Sequence, residues 1–315
     1  MDIHRLPHRF VAIFASLAAS ALALYASGAP PQLAGYVAAP VRYVPLNKMI
    51  APAQINGRPA NLLVDTGADQ TMLDRQSAQL CNVTVNQFGR GRYIGYQKVN
   101  GQDAPIAFVR TLSVGAMNFA NLRIALVESS RVDRAAAPAA HIDGALGADI
   151  LVPRKAVINT GAKTIFFPAS GSQPLQVGAV AASEKFTRVP MRREENGGFT
   201  VPCSIGGQRG RVFVDTGAFV TTLNDALARA LGISLEPAHV SARFSDGMSR
   251  RYGMGEVKDL AIGDFRVPPK KFGAASLPRY ASISGEGPVF GILGMDLLYD
   301  CHAIIDFGSM SLFLK

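Results

Sequence analysis

The amino-acid sequence repeats one short segment, and this repeat limits the possible folds more than any other feature. Residues 62–68 read Leu-Leu-Val-Asp-Thr-Gly-Ala, and residues 212–218 read Val-Phe-Val-Asp-Thr-Gly-Ala. Seven of the twelve positions from 62 to 73 are identical 150 residues later. An apolar run that ends in a turn is typical of a buried strand. The repeat therefore predicts two similar units, each of which places an aspartate, Asp65 or Asp215, at the end of a strand.

Two further blocks recur in the same order along the chain. Residues 145–151 read Ala-Leu-Gly-Ala-Asp-Ile-Leu and return 147 positions later as Ile-Leu-Gly-Met-Asp-Leu-Leu. Residues 156–167 return at the same offset as residues 303–314. Three matched blocks in one order predict two homologous lobes of about 130 residues, a usual domain size. Their bounds are predicted at residues 42–168 and 186–315.

The composition is typical of a turn-rich all-β protein. Charged residues make up 17% of the chain and hydrophobic residues 48%, and 31 glycines and 19 prolines interrupt short apolar runs. The net charge of +9 comes from scattered basic residues, which indicates attraction to anionic surfaces and no nucleic-acid partner. No metal-binding spacing and no Gly-x-Ser-x-Gly motif occurs, so zinc chemistry and a Ser-His-Asp mechanism are disfavoured. Cys81, Cys203 and Cys301 are expected to be small buried apolar residues, and at most one internal disulfide can form.

The N-terminal residues have the character of a targeting segment. Two arginines precede a stretch without charged residues that extends from position 10 to position 41, and residues 10–29 are rich in Ala, Leu, Val and Phe. A positive head followed by an apolar run predicts a signal peptide or a signal anchor over residues 1–29. Both predict an exported, periplasmic protein, and the second anchors it in the inner membrane through residues 10–29. Residues 30–41, rich in Pro, Ala and Gly, are interpreted as a tether.

Turn signals divide both predicted lobes in the same way. Asn56-Gly57 and Gly206-Gly207 precede the two aspartate strands, and Asn100-Gly101 and Asp246-Gly247 follow the aspartates. The later pair lies between runs that favour β-hairpins. Between the lobes, residues 169–185 are rich in Ala, Ser, Gly, Gln and Pro and are predicted to form a flexible linker.

These motifs resemble the lobe signature of the pepsin/retropepsin-like aspartic proteases. The strand that ends in Asp-Thr-Gly-Ala, the later Leu-Gly-x-Asp block and the closing Ile-Ile-Asp-Phe-Gly strand carry the resemblance, which covers residues 42 to 315. It implies an all-β fold of two homologous retropepsin-like closed-barrel lobes, arranged in one chain as a pepsin-like pseudo-dimer behind a hydrophobic leader. A monomer is therefore favoured, and pairing of lobes between two chains in a swapped dimer is the alternative.

In that family, two facing aspartates activate a water molecule for peptide hydrolysis. The resemblance implies an aspartic endopeptidase that acts on extended protein or peptide substrates without cofactor or metal, with Asp65 and Asp215 as the catalytic pair. The alternative is a catalytically silent peptide-binding module of the same fold. The residues expected to support the catalytic loops are Thr66, Gly67, Ala68, Thr216, Gly217 and Ala218.

The two later hairpins are interpreted as flaps that close over the substrate. The residues assigned to them are Tyr93, Tyr96, Asn100, Gly101, Phe244, Asp246 and Gly247, with Tyr252 as a further aromatic, and ordinary cross-strand packing is the alternative for the aromatic residues. Asp149 and Asp296 are expected to support the catalytic loops from beneath. Alanine follows each Asp-Thr-Gly where pepsin-type enzymes often have a hydroxyl donor, which predicts raised pKa values and a pH optimum less acidic than that of pepsin.

Overall fold

The computed structural model of the protein describes residues 32–85, 87–88, 92–93, 95–99, 102–128, 141–171, 176–243, 249–277 and 287–315. Strands form most of this part of the chain, and its helices are short. The prediction of an all-β protein is confirmed.

The N-terminal half begins at a short edge strand and ends at the strand that closes the third repeated block. Its strands are β1 (Tyr36–Pro40), β2 (Arg42–Val44), β3 (Lys48–Ile55), β4 (Arg58–Val64), β5 (Met72–Asp74), β6 (Thr84–Val85), β7 (Gln87–Phe88), β8 (Arg92–Tyr93), β9 (Tyr96–Val99), β10 (Gln102–Val114), β11 (Met117–Val127), β12 (Gly144–Leu146), β13 (Val157–Asn159) and β14 (Thr164–Pro168). A 3-10 turn (Pro45–Asn47) and helices α1 (Arg75–Leu80) and α2 (Ala148–Leu151) connect them.

The C-terminal half follows helix α3 (Val177–Ser183) and repeats much of this order. Its strands are β15 (Thr187–Pro190), β16 (Arg192–Arg193), β17 (Phe199–Ile205), β18 (Gln208–Val214), β19 (Thr222–Asn224), β20 (Glu236–Arg243), β21 (Ser249–Val257), β22 (Ala261–Ile262), β23 (Phe265–Arg266), β24 (Lys270–Ala275), β25 (Val289–Leu293), β26 (Ile304–Asp306) and β27 (Ser311–Leu314). Helices α4 (Asp225–Ala230) and α5 (Met295–Asp300) correspond to α1 and α2 of the first half.

The sheet of the first lobe closes on itself. Hydrogen-bonded neighbours follow the order β3-β4-β12-β5-β11-β10, and β10 pairs back to β3, with Leu112 opposite Ile55. β10 can complete the ring because it continues to Val114 after its earlier residues have paired with β9. The first lobe is therefore the predicted closed barrel.

The second lobe repeats this order as β17-β18-β25-β19-β24-β21, but among the described pairings none joins β21 to β17. β21 ends at Val257, and the chain turns through residues 258–260 into β22, which pairs with β17. A cavity of about 480 Å³, lined in part by Ile205, Leu231 and Val257, lies beside this interruption. Ile262 of β22 lies opposite Cys203 of β17, just as Val114 of β10 lies opposite Ala53 of β3. The second lobe therefore closes through β22 instead of through one continuous strand, and the expectation of a closed barrel is confirmed for it as well.

A six-stranded sheet joins the two lobes. Its strand order is β1-β14-β13-β26-β27-β15, so three strands of the first half lie on one side of the centre and their three counterparts lie in mirrored order on the other side. At the centre, β13 pairs antiparallel with β26, and Ile158 lies opposite Ile305, its equivalent in the repeat. The third repeated block therefore forms the contact that relates one lobe to the other.

The segment interpreted as a tether contributes to this sheet. Residues 30–41 contain β1, in which Tyr36 pairs with Pro168 and Pro40 with Thr164. Composition favoured an irregular segment, but the edge of β14 offers hydrogen-bonding groups that an extended chain can pair with. From Tyr36 onward this segment is part of the folded body.

The predicted flexible linker, residues 169–185, contains helix α3. Val177 and Ala181, four residues apart on one face of the helix, are buried with Phe166 and Phe313 of the joining sheet. This packing orders a segment whose small polar composition indicated flexibility. The linker is therefore partly helical rather than flexible throughout.

Within the described part of the chain, no helix is long and apolar enough to cross a membrane. The predicted leader, residues 1–29, lies outside the described residues.

Candidate active site

Strands β4 and β18 deliver the two candidate aspartates to equivalent places. Val64 and Val214, the last residues of these strands, are buried, and Asp65 and Asp215 follow them. The Asp65 N–H donates to the carbonyl of Leu146 at 3.1 Å, and the Asp215 N–H donates to the carbonyl of Leu293 at 3.1 Å. The parallel strands β12 and β25 therefore fix the position at which each loop leaves its sheet.

Two threonines lock the loops together across the lobe boundary. The Thr66 hydroxyl donates to the carbonyl of Val214 at 2.8 Å and accepts from the Thr216 N–H at 3.0 Å. In return, the Thr216 hydroxyl donates to the carbonyl of Val64 at 2.7 Å and accepts from the Thr66 N–H at 3.0 Å. Both residues are buried, so these four bonds satisfy groups that water does not reach.

Each carboxylate is oriented by the backbone of its own turn. Asp65 Oδ1 accepts from the N–H groups of Gly67 at 2.9 Å and Ala68 at 3.0 Å. Asp215 Oδ1 accepts from Gly217 at 2.8 Å and Ala218 at 3.1 Å. The two carboxyl groups also hydrogen-bond each other, and the Gly67 N–H bonds to the Asp215 carboxyl group from the opposite turn.

The glycine of each turn lies against the aspartate of the other lobe. A Cβ atom built on Gly67 would lie 2.5 Å from Asp215 Cγ, and one built on Gly217 would overlap the Asp65 carboxylate in the same way. Any side chain would therefore push the two loops apart. The absence of a Cβ at both positions allows the two carboxyl groups to face each other.

The two carboxyl groups influence each other's titration. Burial raises the pKa of Asp65 and that of Asp215, and the charge of Asp215 raises the pKa of Asp65 further. The backbone N–H bonds lower both pKa values but do not outweigh burial. Both residues keep a partly exposed surface despite the dense protein around them, as at the floor of a cleft. The hydrogen bond between the two carboxyl groups raises the pKa of Asp65 and lowers that of Asp215, so the titration of one group depends on the other.

The second repeated block supports both loops from beneath. Asp149 Oδ1 accepts from the N–H of Thr71 at 2.8 Å and from its hydroxyl at 2.7 Å. Asp296 Oδ1 makes the same two bonds to Thr221, both at 2.7 Å. The structure thus places these two aspartates behind the catalytic loops, where the resemblance implied that they pack.

The fourth residue after each candidate aspartate touches the opposite lobe, and sequence reasoning did not find this. Lys48 Nζ of the first lobe lies 4.5 Å from the ring centroid of Phe219 in the second. At the equivalent position, Asp69 lies against the turn at Gly197, where a built Cβ would be 3.3 Å from Asp69 Cβ. The two sides of the site therefore differ chemically despite the symmetry of the backbone.

The hairpins interpreted as flaps are partly described. Asn100, Gly101, Phe244, Asp246 and Gly247 lie outside the described residues, and so does the side chain of Tyr93. The strands beside them do form hairpins, β9 with β10 and β20 with β21. The flap roles of these residues stay a prediction.

The two described aromatic residues of these hairpins lie in different surroundings. Tyr96 of β9 is 55% exposed. Tyr252 of β21 is buried, and its hydroxyl lies 2.8 Å from the Thr222 hydroxyl. Tyr252 therefore packs inside the second lobe, as in ordinary cross-strand packing, and its role as a flap aromatic stays a prediction.

The cysteines and the acidic residues add no other centre to the described part of the chain. Cys81, Cys203 and Cys301 are free and buried, which confirms that they act as small apolar residues. In the described ranges no group of three His, Cys, Asp or Glu residues is placed to hold a metal ion.

Comparison with known proteins agrees with this geometry in both lobes. The model of the family described as "gag-polyprotein putative aspartyl protease" matches residues 51–151, and that of the family described as "Aspartyl protease" matches residues 201–297. The chain belongs to the retropepsin-like aspartic protease family. The first match contains Asp65 and its supporting Asp149, and the second contains Asp215 and its supporting Asp296. Both lobes of the chain therefore carry the motif.

Solved structures extend the likeness to the two-lobe architecture. The crystal structure of conglutin gamma, a unique basic 7S globulin from lupine seeds, is similar with a TM-score of 0.54 over 89% of this chain and 95% of that chain. The two sequences are 9% identical, so the likeness concerns the fold alone. A sequence comparison with curated proteins found no match.

Proposed function

We propose that the protein is an aspartic endopeptidase that cleaves extended peptide segments with water activated between Asp65 and Asp215. The cross-lobe threonine lock is the observation that carries this proposal. It holds two carboxyl groups face to face, with raised pKa values. A pair that keeps one proton supplies a base and an acid at the same place, which peptide hydrolysis requires.

In the proposed reaction each carboxyl group takes up one proton and gives up one proton. The ionised carboxylate takes a proton from water as the water oxygen bonds to the scissile carbonyl carbon. The protonated carboxyl group donates its proton to the carbonyl oxygen, which gives a neutral tetrahedral diol. When the C–N bond breaks, the amide nitrogen receives a proton from one carboxyl group and a diol hydroxyl returns its proton to the other, so the pair again holds one proton.

The leader supports a location for this activity. A positive head and an apolar run at residues 10–29 favour export to the periplasm, with protein or peptide substrates of the cell envelope. Cell fractionation of the full-length protein, with added external protease after outer-membrane permeabilisation, tests this. Digestion only after permeabilisation is expected, and a protein that stays protected in spheroplasts contradicts the export proposal.

Cleavage of denatured casein by the full-length protein tests the proposed chemistry. Wild type is expected to release peptides, whereas Asp65→Asn and Asp215→Asn are expected to lose at least about a thousandfold in kcat/KM. Asp264→Asn is the matched control, since Asp264 lies in an exposed turn of the second lobe. Casein binding without cleavage by wild type would favour the silent peptide-binding module, and cleavage by both variants would end the assignment.

A further inference from the structure

The hairpin of β9 and β10 contains a buried amide without a hydrogen-bond partner. Both polar atoms of the Gln97 side chain, Nε2 and Oε1, are inaccessible to solvent, and neither has a hydrogen-bond partner in the described part of the chain. A carboxamide offers two donors and two acceptor lone pairs, so this side chain leaves its whole hydrogen-bonding capacity unused. Buried polar groups in folded proteins nearly always find a partner.

Gln97 lies on the face of the hairpin that packs against strands β5 and β11. Gln97 pairs with Ala104, and in a strand every second side chain points to the same side, so Val99 shares this face. Val99 and Ala104 pack with Ala125 and Met72. Met72 begins β5, directly after Thr71 of the supported catalytic loop. The amide is therefore beneath the hairpin, on the side of the candidate active site.

Tyr96 and Lys98 occupy the other face of the same strand. Tyr96 is exposed, and Lys98 forms an ion pair with Asp103 across the hairpin at 2.8 Å. The aromatic residue selected from the sequence therefore points away from Met72. Among the described residues of β9, Gln97 is the polar side chain placed to meet a ligand under the hairpin.

We propose that the Gln97 carboxamide binds a peptide group of the substrate. A peptide backbone presents an N–H donor and a carbonyl acceptor, which match the Oε1 acceptor and Nε2 donor of the amide. The inference rests on the proposed function for the nature of the ligand, an extended peptide. Peptide entry requires the hairpin to lift from Met72 and Ala125, and this movement frees the amide to pair with the backbone that enters.

The unpaired amide also shifts the equilibrium between the closed and the lifted hairpin toward the lifted position. In the empty protein it destabilises the closed hairpin, because a buried donor and acceptor have lost water without gaining partners. In the complex the same groups are paired with the peptide, so peptide binding stabilises the hairpin in its lifted, peptide-bound position. A ligand shifts an equilibrium only by its differential affinity for the two states, and Gln97 supplies such a difference.

Replacing the amide with an apolar side chain separates this role from a purely structural one. Gln97→Met keeps the length of the side chain and removes the unpaired polar atoms, so Tm of the full-length protein is expected to rise by about 2–4 °C. The same change removes the proposed contact. Binding of fluorescein-labelled denatured casein, measured by anisotropy on full-length Asp215→Asn protein, is expected to weaken about five- to thirtyfold on adding Gln97→Met.

Kinetic parameters and a matched control complete the test. In the active protein Gln97→Met is expected to raise KM for casein with little change in kcat, and Gln97→Glu, which keeps an acceptor, is expected to restore part of the affinity. Gln54→Met is the control, because Gln54 is an exposed residue of β3, and it is expected to change neither Tm nor binding.

Each remaining outcome decides the inference. A rise in Tm with unchanged casein binding would show that the buried amide has no role in binding, and it would overturn the proposal. A fall in Tm would overturn it as well. So would a failure of casein to bind the Asp215→Asn protein. Weaker binding of casein by Gln97→Met in a protein that cleaves nothing would support Gln97 as a peptide-binding residue while ending the proposed peptidase function.

Discussion

Thr66 and Thr216 exchange hydrogen bonds across the boundary between the lobes, and each hydroxyl bonds to the residue that precedes the other lobe's aspartate. The distances on the two sides differ by no more than 0.1 Å. The position of one carboxyl group therefore depends on the backbone of the opposite lobe. Neither lobe can form the site alone.

Thr66→Val keeps the shape of the side chain and removes the hydroxyl. It leaves the buried N–H of Thr216 and the carbonyl of Val214 unpaired, so the free energy of unfolding is expected to fall by about 1–3 kcal/mol for each group. Urea denaturation measures this, with Thr66→Ser expected to recover most of the loss. Thr84→Val, at an exposed position of β6, is the control, and an equal loss in that variant would contradict the assigned role.

Asp149→Ala and Asp296→Ala are expected to have matched effects. Each removes the acceptor of two bonds from a buried threonine, Thr71 or Thr221, and so is expected to cost about 2–4 kcal/mol of unfolding free energy. The kcat/KM for casein is expected to fall in both, because the loop above loses its support. A variant as stable and active as Asp264→Ala would refute the support role for its lobe.

The raised pKa values of the aspartate pair predict the pH dependence of activity. The pair works with one proton, and burial together with mutual repulsion keeps that proton bound above the ordinary aspartate value of about 3.9. The alkaline limb of the kcat/KM profile is therefore expected above about pH 5. A profile that declines from pH 3 upward would contradict the environment assigned to the pair.

The same raised pKa values predict that the aspartate pair destabilises the fold more as the pH rises. The carboxylate of an ordinary salt bridge has the opposite effect, because it stabilises the fold more as the pH rises. An acid whose pKa is higher in the folded state costs no stability below its unfolded pKa, and it destabilises the fold increasingly as the pH rises toward its folded pKa. Asp65→Asn removes this titration. Its Tm relative to wild type is therefore expected to increase from pH 4 upward, and a difference that stays constant with pH would contradict the account.

The buried ion pair of Arg211 and Glu194 gives a prediction for the second lobe. Burial acts to raise the pKa of Glu194, but hydrogen bonds from Thr200 and Arg211 and the charge of Arg211 outweigh it and hold the pKa below its usual value. This stabilisation is present above the unfolded pKa, about 4.3, and is lost as the pH falls through the folded pKa. Glu194→Gln leaves the arginine charge buried and is expected to cost about 3–5 kcal/mol at pH 7, measured by urea denaturation.

A double variant checks the pair itself. Arg211→Met combined with Glu194→Gln is expected to cost less than the sum of the two single changes, since neither charge is then left without its partner. Additive losses would show that the two residues act independently.

The parts of the molecule that could be predicted from the sequence are those encoded by repetition. The apolar run before Asp65 and its copy before Asp215 specify strand, turn and carboxylate together, and the repeated block with Asp149 specifies the support beneath. Such local patterns can be read without knowledge of the packing around them, because the turn requires glycine and the strand requires apolar residues. The two-lobe arrangement and the facing of the turns followed from them.

The parts that could not be predicted depend on contacts between distant segments. Helix α3 forms because Val177 and Ala181 meet the joining sheet, and the second barrel closes through the separate strand β22 because β21 ends early. The isolation of the Gln97 amide is a property of what surrounds it, which no spacing in the sequence records. Composition alone therefore misjudged the tether and the linker.

The dependence of kcat/KM on removing one or both aspartates tests the central claim most directly. If Asp65 and Asp215 act as one unit that shares a proton, each single Asn variant is expected to lose about as much activity on casein as the Asp65→Asn/Asp215→Asn double variant. All three are expected to remain folded by circular dichroism. Losses that add in the double variant, or substantial activity in either single variant, would contradict a shared-proton pair.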